Sequence, residues 1–346
     1  MSQLSLKLSR YRIALSAHLP VASQRIDHRQ GLVLSASIDQ QNHYVEIAPL
    51  SGVDIEGKPL HGFSQETLNE VEVELAKLLP ELASQGIAGL QAAAKSSRFP
   101  SLAYGLSMLA AKLSGQLPEA RLTPNKIPLL YQNSNESLTD LQNKVRALGS
   151  DITRVKVKVA QAELSQEIAM IHGILAIRPD LKLRLDANQG LSVGDAIDML
   201  ACLPHEAIEY IEEPCATVAD CVAVYQAVDI PFALDETLNH ADYQFEPLPG
   251  LAAVVIKPML LGDISPLQQW TSIAQEHGVA VILSSSLESS LGIEMIKDLA
   301  QQLSPDQPPS IDTLAPFSQD IIVSTGGKPC LSFEQLTSVA VAGDMQ

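Results

Sequence analysis

From about Lys126 onward the chain repeats one pattern: a short β-branched run, a helical stretch, then another such run. PLLYQ, RVKVKVA, LKLRLDA, IEYIEEP, PFALDE, LAAVVIKP and VAVILSSS read as seven strands, and SIDTLA offers a weaker eighth. Strands separated by helices lie parallel and are joined by right-handed crossovers. The rhythm fits an eightfold (β/α) barrel first and a doubly wound open sheet second. No GxGxxG or GxxxxGK[ST] follows any strand, which counts against a nucleotide-binding open sheet.

The stretch up to about Glu119 has a different texture. LSLKLSRYRIALS alternates, and QGLVLSASI and HYVEIAPL flank a polar DQQN connection that predicts a β-hairpin. A Gly- and Pro-dotted loop runs from Leu50 to His61, and HLPVASQRID reads as another loop. Ser64 is expected to cap a helix, with Thr67 where a capping Glu usually stands and Glu66 favouring the helix dipole. Pro80 is expected to interrupt that helix; a second opens on Pro100 and ends at Gly115. Strands followed by helices predict a small α+β unit. The tail GGKPCLSFEQL reads as a final strand returning to it.

Composition narrows the function classes. Of 346 residues, 46% are hydrophobic, which is ample for a core and excludes intrinsic disorder. No apolar run nears the roughly 20 residues that cross a bilayer, and no signal peptide is evident. With 23 basic against 40 acidic residues the net charge is −17, which repels a phosphate backbone; no nucleic-acid partner is expected. Cys202, Cys215, Cys221 and Cys330 show no CxxC spacing and read as core thiols of a cytoplasmic protein. The residues specify no oligomer and are compatible with a monomer.

The chemistry sits where charges end strands. Strand side chains alternate faces, so Lys156 and Lys158 of RVKVKVA share one face and Val155, Val157 and Val159 the other. The same parity groups Arg184, Asp186 and Asn188, and separates Glu212 from Glu213. Asp235 and Lys257 each end a segment. Singly, such residues are ordinary: alternating lysines suit an exposed sheet face, and an acid ending a strand suits a turn or helix cap. Glu213 reads as solvated or supporting.

Together they say more, because barrel active sites are built at the C-terminal ends of the strands. Asp186, Glu212 and Asp235 form an all-oxygen set. Like charges about 4 Å apart repel by about 4 kcal/mol even at an effective dielectric of 20, so a cation is expected among them. Hard oxygens without His or Cys suit Mg²⁺; no histidine spacing suits zinc. Lys158, crowded by Lys156 and a dication, is expected to spend time as a neutral amine able to take a proton from carbon. Lys257, across the barrel, would hold its cation against the resulting anion. The chemistry implied is proton abstraction beside the carboxylate of a small-molecule substrate.

These motifs, VKVKV, RLDANQ, IEEPC, ALDETL, VVIKP and SSSLESSLG in order, resemble the muconate-lactonising branch of the enolase superfamily. With PLHGFSQET and FPSLAYGLSMLAAKL they resemble, more narrowly, the o-succinylbenzoate synthase family of menaquinone biosynthesis, and the resemblance covers most of the chain. Lysine bases working with Mg²⁺ on an enediolate are an established pattern of that superfamily. The resemblance implies a modified (β/α)7β TIM-like barrel over residues 120–321. It also implies an α+β capping domain over residues 1–119, completed by the tail 322–346. It implies a hydro-lyase that removes water from 2-succinyl-6-hydroxy-2,4-cyclohexadiene-1-carboxylate by syn elimination. Lys158 would be the base, Lys257 the enediolate stabiliser, and Asp186, Glu212 and Asp235 the Mg²⁺ ligands. Lys156 would be an electrostatic neighbour. Ser284 would line the substrate pocket. Arg184 would help with a substrate carboxylate or serve a structural pairing. The loop IAPLSGVDIEGKPLHGF is longer than the family pattern.

Alternatives stay open on the residues alone. An N-acylamino acid racemase, a dipeptide epimerase or a muconate cycloisomerase would share both lysines and all three acids. A Schiff-base barrel enzyme would use a lysine but leaves the acids unexplained. A non-catalytic barrel binding protein has no reason to gather five charges that cost stability.

Overall fold

The computed structural model describes residues 4–21, 24–60, 64–117, 127–132, 136–240 and 243–343. Three antiparallel strands open the chain: β1 (Ser5–Val21), β2 (Gln24–Ile38) and β3 (Gln41–Ile47). The DQQN hairpin forms as expected, with Asp39 and Gln40 at φ 49° and 63°, the conformation of a tight primed turn. HLPVASQRID belongs to a long hairpin rather than a loop: Leu19 pairs with Ile26 and Pro20 with Arg25, while residues 22–23 lie outside the described residues.

The apolar face of this sheet packs under two helices, α1 (Leu68–Ser96) and α2 (Pro100–Leu113). Helix α2 approaches β3 so closely that a Cβ on Gly105 would lie 2.2 Å from Ile47. Three expectations for this region are corrected. Thr67, not Ser64, caps α1, in a reciprocal capping box with Glu70; the Ser64 hydroxyl instead accepts from the Leu50 N–H. Glu66 is buried and accepts from the backbone N–H of Ser101, tying the start of α2 to the lead-in of α1. The helix also runs through Pro80, which faces solvent, and breaks at Gly86, whose φ of 66° is cheap only for glycine. The long loop folds on itself: the Asp54 carboxylate accepts from the N–H groups of Glu56 and Lys58 at 2.9 and 2.8 Å. Residues 61–63 of PLHGFSQET, and the expected domain boundary at 119/120, lie outside the described residues.

The βα rhythm then builds one parallel sheet. Its strands are β4 (Leu129–Leu130), β5 (Arg154–Lys158), β6 (Lys182–Asp186), β7 (Ile208–Glu212), β8 (Phe232–Leu234), β9 (Leu251–Ile256) and β10 (Ala280–Leu283). Between and after them come α3 (Leu138–Arg146), α4 (Leu164–Ile177), α5 (Val193–Ala201), α6 (Val218–Val228), α7 (Pro258–Leu261), α8 (Leu267–Glu276) and α9 (Ser290–Leu303). The spatial order is the chain order, β4 to β10, without the reversal that marks a doubly wound sheet. The fold is the TIM-like barrel architecture, with seven curled strands. SIDTLA supplies a single bridge rather than a strand: Ser310 donates to Leu283 O and its carbonyl accepts from Ser285 N.

Val155, Val157 and Val159 are buried in one core with Leu141, Val145, Ile171 and Ile174 of the outer helices. On the inner face Tyr210, Ala233, Ala253, Val255 and Ile282 form a separate apolar plug. Glu212, Asp235 and Lys257 lie two residues C-terminal to Tyr210, Ala233 and Val255 of that plug. The tail returns, but through a later segment than expected. CL of GGKPCLSFEQL forms β12 (Cys330–Leu331), paired with β11 (Asp320–Ile321). It is β13 (Thr337–Ala342) that adds antiparallel to β1 and completes a four-stranded sheet.

Two buried charges join this sheet to the barrel. Glu46 of β3 accepts from the Tyr11 and Ser289 hydroxyls and from the N–H groups of Ser289 and Gly292, at 3.0 and 2.7 Å. It thus places a carboxylate at the N-terminus of α9, where the helix dipole favours it. Arg29 of β2 donates to four carbonyls: Leu287 in the loop after β10, and Gln30, Ala48 and Pro49. Every partner of these two charges is a neutral group.

Candidate active site

The site forms because parallel strands in register carry their last residues to one rim. Lys158 pairs with Asp186 and Asp186 with Glu212 across β5, β6 and β7, and Asp235 and Lys257 follow the ends of β8 and β9. The structure thereby gathers Lys156, Lys158, Asp186, Glu212, Asp235 and Lys257. Lys156 Nζ lies 2.8 Å from Asp186 Oδ2 and 2.7 Å from Glu212 Oε1, bridging the two. Lys158 Nζ lies 2.7 Å from Asp186 Oδ2 and also donates to Asn188 Oδ1. Lys257 donates to Asp235 Oδ2.

The electrostatics follow from this packing. Burial works against the charge on Lys156, but Asp186, Glu212 and Asp235 outweigh it and hold the ammonium well above the usual lysine value. Burial likewise opposes Asp186, yet Lys156 and Lys158 keep it well below the usual carboxylate range. Glu212 is pushed up by burial and then by the Asp186 charge. Burial opposes the charge of Lys257 too, and Asp235 and Glu236 overcome it. Lys156 is therefore more than an electrostatic neighbour of Lys158: its ammonium bridges two of the three acids.

Among the described residues no three His, Cys, Asp or Glu side chains stand in a ready-made cage for a metal ion. A lysine ammonium stands between the carboxylates instead. The donor set nonetheless fits a hard dication. Asp235 Oδ1 and Glu236 Oε2 are buried without a hydrogen-bond partner, a costly state for carboxylate oxygens unless a cation meets them. Asp186, Glu212 and Asp235 offer oxygen only, the chemistry that suits Mg²⁺.

Two expected site residues are placed elsewhere or otherwise engaged. Arg184 lies two residues before Asp186, and its guanidinium bonds Glu209 at 2.9 and 3.2 Å and stands over the Tyr210 ring at 5.2 Å. The reason is a register slip: Leu183 pairs with Ile208 but Arg184 with Tyr210, so Glu209 bulges toward Arg184. That is the structural pairing expected as one of the two readings of Arg184. Ser284 follows β10 and is buried, its hydroxyl donating to Ser310 O at 3.2 Å.

Two further residues join the site: Asn188, grouped with Asp186 by strand parity, and Glu213, for which the sequence leaves a solvated and a supporting reading open. Asn188 links Lys158 to Glu236, donating to Glu236 Oε1 at 2.7 Å. Of the two readings of Glu213, burial removes the solvated one: the residue is fully buried behind the rim. The only sequence signal for it was its place directly after Glu212 in IEEP, with opposite side-chain parity. The four cysteines are free, but only Cys215 and Cys221 are the core thiols expected, Cys202 being exposed and Cys330 half-buried; burial pushes the Cys221 thiol up to about 12. No helix among the described residues is long and apolar enough to cross a membrane.

Comparison with known proteins agrees with this architecture. Residues 138–311 match the enolase C-terminal domain-like family model, and residues 3–113 match the MenC N-terminal domain model. The o-succinylbenzoate synthase of Yersinia pseudotuberculosis is 35% identical over 311 residues, covering 89% of each chain. That of Pasteurella multocida is 35% identical over 325 residues, covering 91% of each. The crystal structure of o-succinylbenzoate synthase from Thermosynechococcus elongatus, complexed with Mg in the active site, superposes with a TM-score of 0.65 at 24% identity. It covers 88% of this chain and 92% of its own. A dipeptide epimerase from Cytophaga hutchinsonii, complexed with Mg and a dipeptide, shares the fold at TM-score 0.73 and 18% identity, covering 92% of this chain and 89% of its own. On the fold, the family models and these relatives, the chain belongs to the o-succinylbenzoate synthase family of the enolase superfamily.

Proposed function

We propose that this chain removes water from 2-succinyl-6-hydroxy-2,4-cyclohexadiene-1-carboxylate to give 2-succinylbenzoate, the o-succinylbenzoate synthase step of menaquinone biosynthesis. The observation that carries the reading is the convergence of Lys158, Lys257, Asp186, Glu212 and Asp235 on one rim, in a chain whose relatives carry that name.

Asp186, Glu212 and Asp235 would hold Mg²⁺. A bound Mg²⁺ supplies stabilisation of negative charge on a substrate carboxylate. Lys158 is the base. Its side chain is 29% exposed, against 12% for Lys156 and 12% for Lys257, so it is the lysine most open to a small molecule. A base must come within hydrogen-bond reach of the proton it takes. Asn188 and Asp186 aim the amine along the rim. Lys158 takes the proton on the carbon beside the carboxylate, and the electron pair left behind is held as an enediolate. Lys257 keeps its proton and sets its positive charge against that anion. When the pair returns to form the new carbon–carbon double bond, the carbon–oxygen bond breaks, and Lys158 gives its proton to the departing hydroxyl. Water leaves and the base is restored.

The test is an ultraviolet assay for 2-succinylbenzoate with wild type and Lys158→Ala, each with and without Mg²⁺. Product formed only by wild type with Mg²⁺ supports the reading. Turnover confined to N-succinyl amino acids would replace it with a racemase, and turnover that survives EDTA would remove the metal.

A further inference from the structure

Glu213 presents an unusual concentration of contacts for a residue that reaches neither rim lysine. Its carboxylate is fully buried and accepts from two backbone N–H groups, Asp235 and Thr237, each at 2.9 Å. It also accepts from the Thr237 hydroxyl at 3.1 Å and from the Gln189 side-chain amide. Its own N–H donates to Ala233 O at 2.9 Å, and its carbonyl accepts from Gln189 N at 2.7 Å. One residue therefore binds the turn after β6, the end of β7 and the turn after β8. Glu212 and Asp235 lie in the last two of these segments, and Asp186 ends β6 directly before the first.

The backbone around it is held against its preferences. Glu213, Asn188 and Gln189 all have positive φ, at 35°, 43° and 62°, without being glycine. Such conformations persist where surrounding bonds over-determine them. The Glu213 contacts are those bonds. The two backbone N–H groups on Glu213 Oε1 belong to the turn that carries Asp235 and Glu236, whose Oδ1 and Oε2 are the unpartnered buried carboxylate oxygens of the rim among the described residues.

We propose that Glu213 is a positioning residue that fixes the spacing of the three rim carboxylates and thereby sets the affinity of the site for a divalent cation. This rests on the reading of the rim as a Mg²⁺ site. Glu213 touches no substrate; it acts through the turns that carry the ligands. Partners that orient metal ligands typically change affinity 10- to 100-fold when removed.

The experiment is calorimetric titration of the full chain with Mg²⁺ alone, on wild type, Glu213→Gln and Gln189→Leu, with melting temperature recorded in the absence of metal. Glu213→Gln keeps one oxygen for the two backbone donors but sets an amide against Thr237 and Gln189. Mg²⁺ affinity of the folded protein should fall about 10-fold or more in Glu213→Gln, and by a smaller factor in Gln189→Leu, whatever the change in metal-free melting. A merely structural role would lower the melting temperature and leave the affinity of the folded fraction within twofold of wild type; that result overturns the proposal. If Glu213→Gln does not fold, Gln189→Leu decides: affinity within twofold of wild type overturns it, a clear loss supports it. A wild type that takes up no Mg²⁺ overturns the reading of the rim and this proposal with it, whereas binding that is equal in wild type and variants overturns this proposal alone.

Discussion

The rim of the barrel and the seam between sheet and barrel both bury charge, and they satisfy it in opposite ways. At the seam, Glu46 and Arg29 are saturated by hydroxyls, N–H groups and carbonyls, all neutral and all fixed by the fold. At the rim, charge meets charge: Lys156 bridges Asp186 and Glu212, Lys257 meets Asp235, and Asp235 Oδ1 is left without a partner. A charge saturated by backbone has one arrangement. Ammoniums and carboxylates paired with one another can trade partners, which is what binding a cation and moving a proton require. The seam positions and the rim exchanges.

That contrast breaks most visibly at Lys158. Replacing it with alanine should cut dehydration by about 10³-fold or more while leaving melting temperature nearly unchanged, as checked by steady-state assay and thermal denaturation. A melting loss as large as the activity loss would mean the rim is structural. At the seam the opposite is expected. Glu46→Ala strands buried donors from Tyr11, Ser289 and Gly292 and should cost about 3 kcal/mol in urea unfolding, read from the shift in midpoint. A cost near zero would mean water replaces the carboxylate freely.

Arg184 sharpens the boundary between the two regions. Arg184→Met should cost roughly 1 kcal/mol of stability, because Glu209 is partly exposed and can turn to water. Activity should stay within about fivefold of wild type, a change worth less than the roughly 1.4 kcal/mol that a tenfold effect represents. A selective rise in KM would return Arg184 to the substrate.

The smallest effect is expected at Glu288, in the loop behind the seam. Burial raises its pKa above the ordinary 4.5, although the Ser286 N–H and hydroxyl partly offset this. The folded chain therefore keeps a proton that the unfolded chain has already lost, and stability falls as pH climbs from 4.5 through the folded value. Glu288→Gln carries no such penalty. Its melting temperature should match wild type at acid pH and exceed it at neutral pH; the reverse trend would show the carboxylate is better solvated than its burial indicates.

Much of this was legible in the chain, for identifiable reasons. The parallel barrel showed itself because apolar runs punctuated by helices have few other solutions. The rim residues showed themselves because Lys158, Asp186, Glu212, Asp235 and Lys257 each stand at or directly after the C-terminal end of a strand, and Lys156 shares the face of Lys158. What escaped depends on contacts between distant segments. SIDTLA pairs through Ser310 alone, which no local pattern reveals. Thr67 caps α1 because Ser64 is engaged by Leu50 N, a residue outside the helix altogether. The bulge that gives Glu209 to Arg184 is a register event between two strands. Glu213 looked like one of two adjacent acids, and its role lies in bonds to turns some 24 residues away on either side.

The most direct test is a crystal of the full chain soaked with Mn²⁺, a stand-in for Mg²⁺ that anomalous scattering can locate. A single ion should appear among Asp186, Glu212 and Asp235, with Lys156 withdrawn from the two carboxylates it bridges. A rim that takes no ion at saturating Mn²⁺, or an ion bound away from those three side chains, would contradict a metal-assisted proton abstraction at this site.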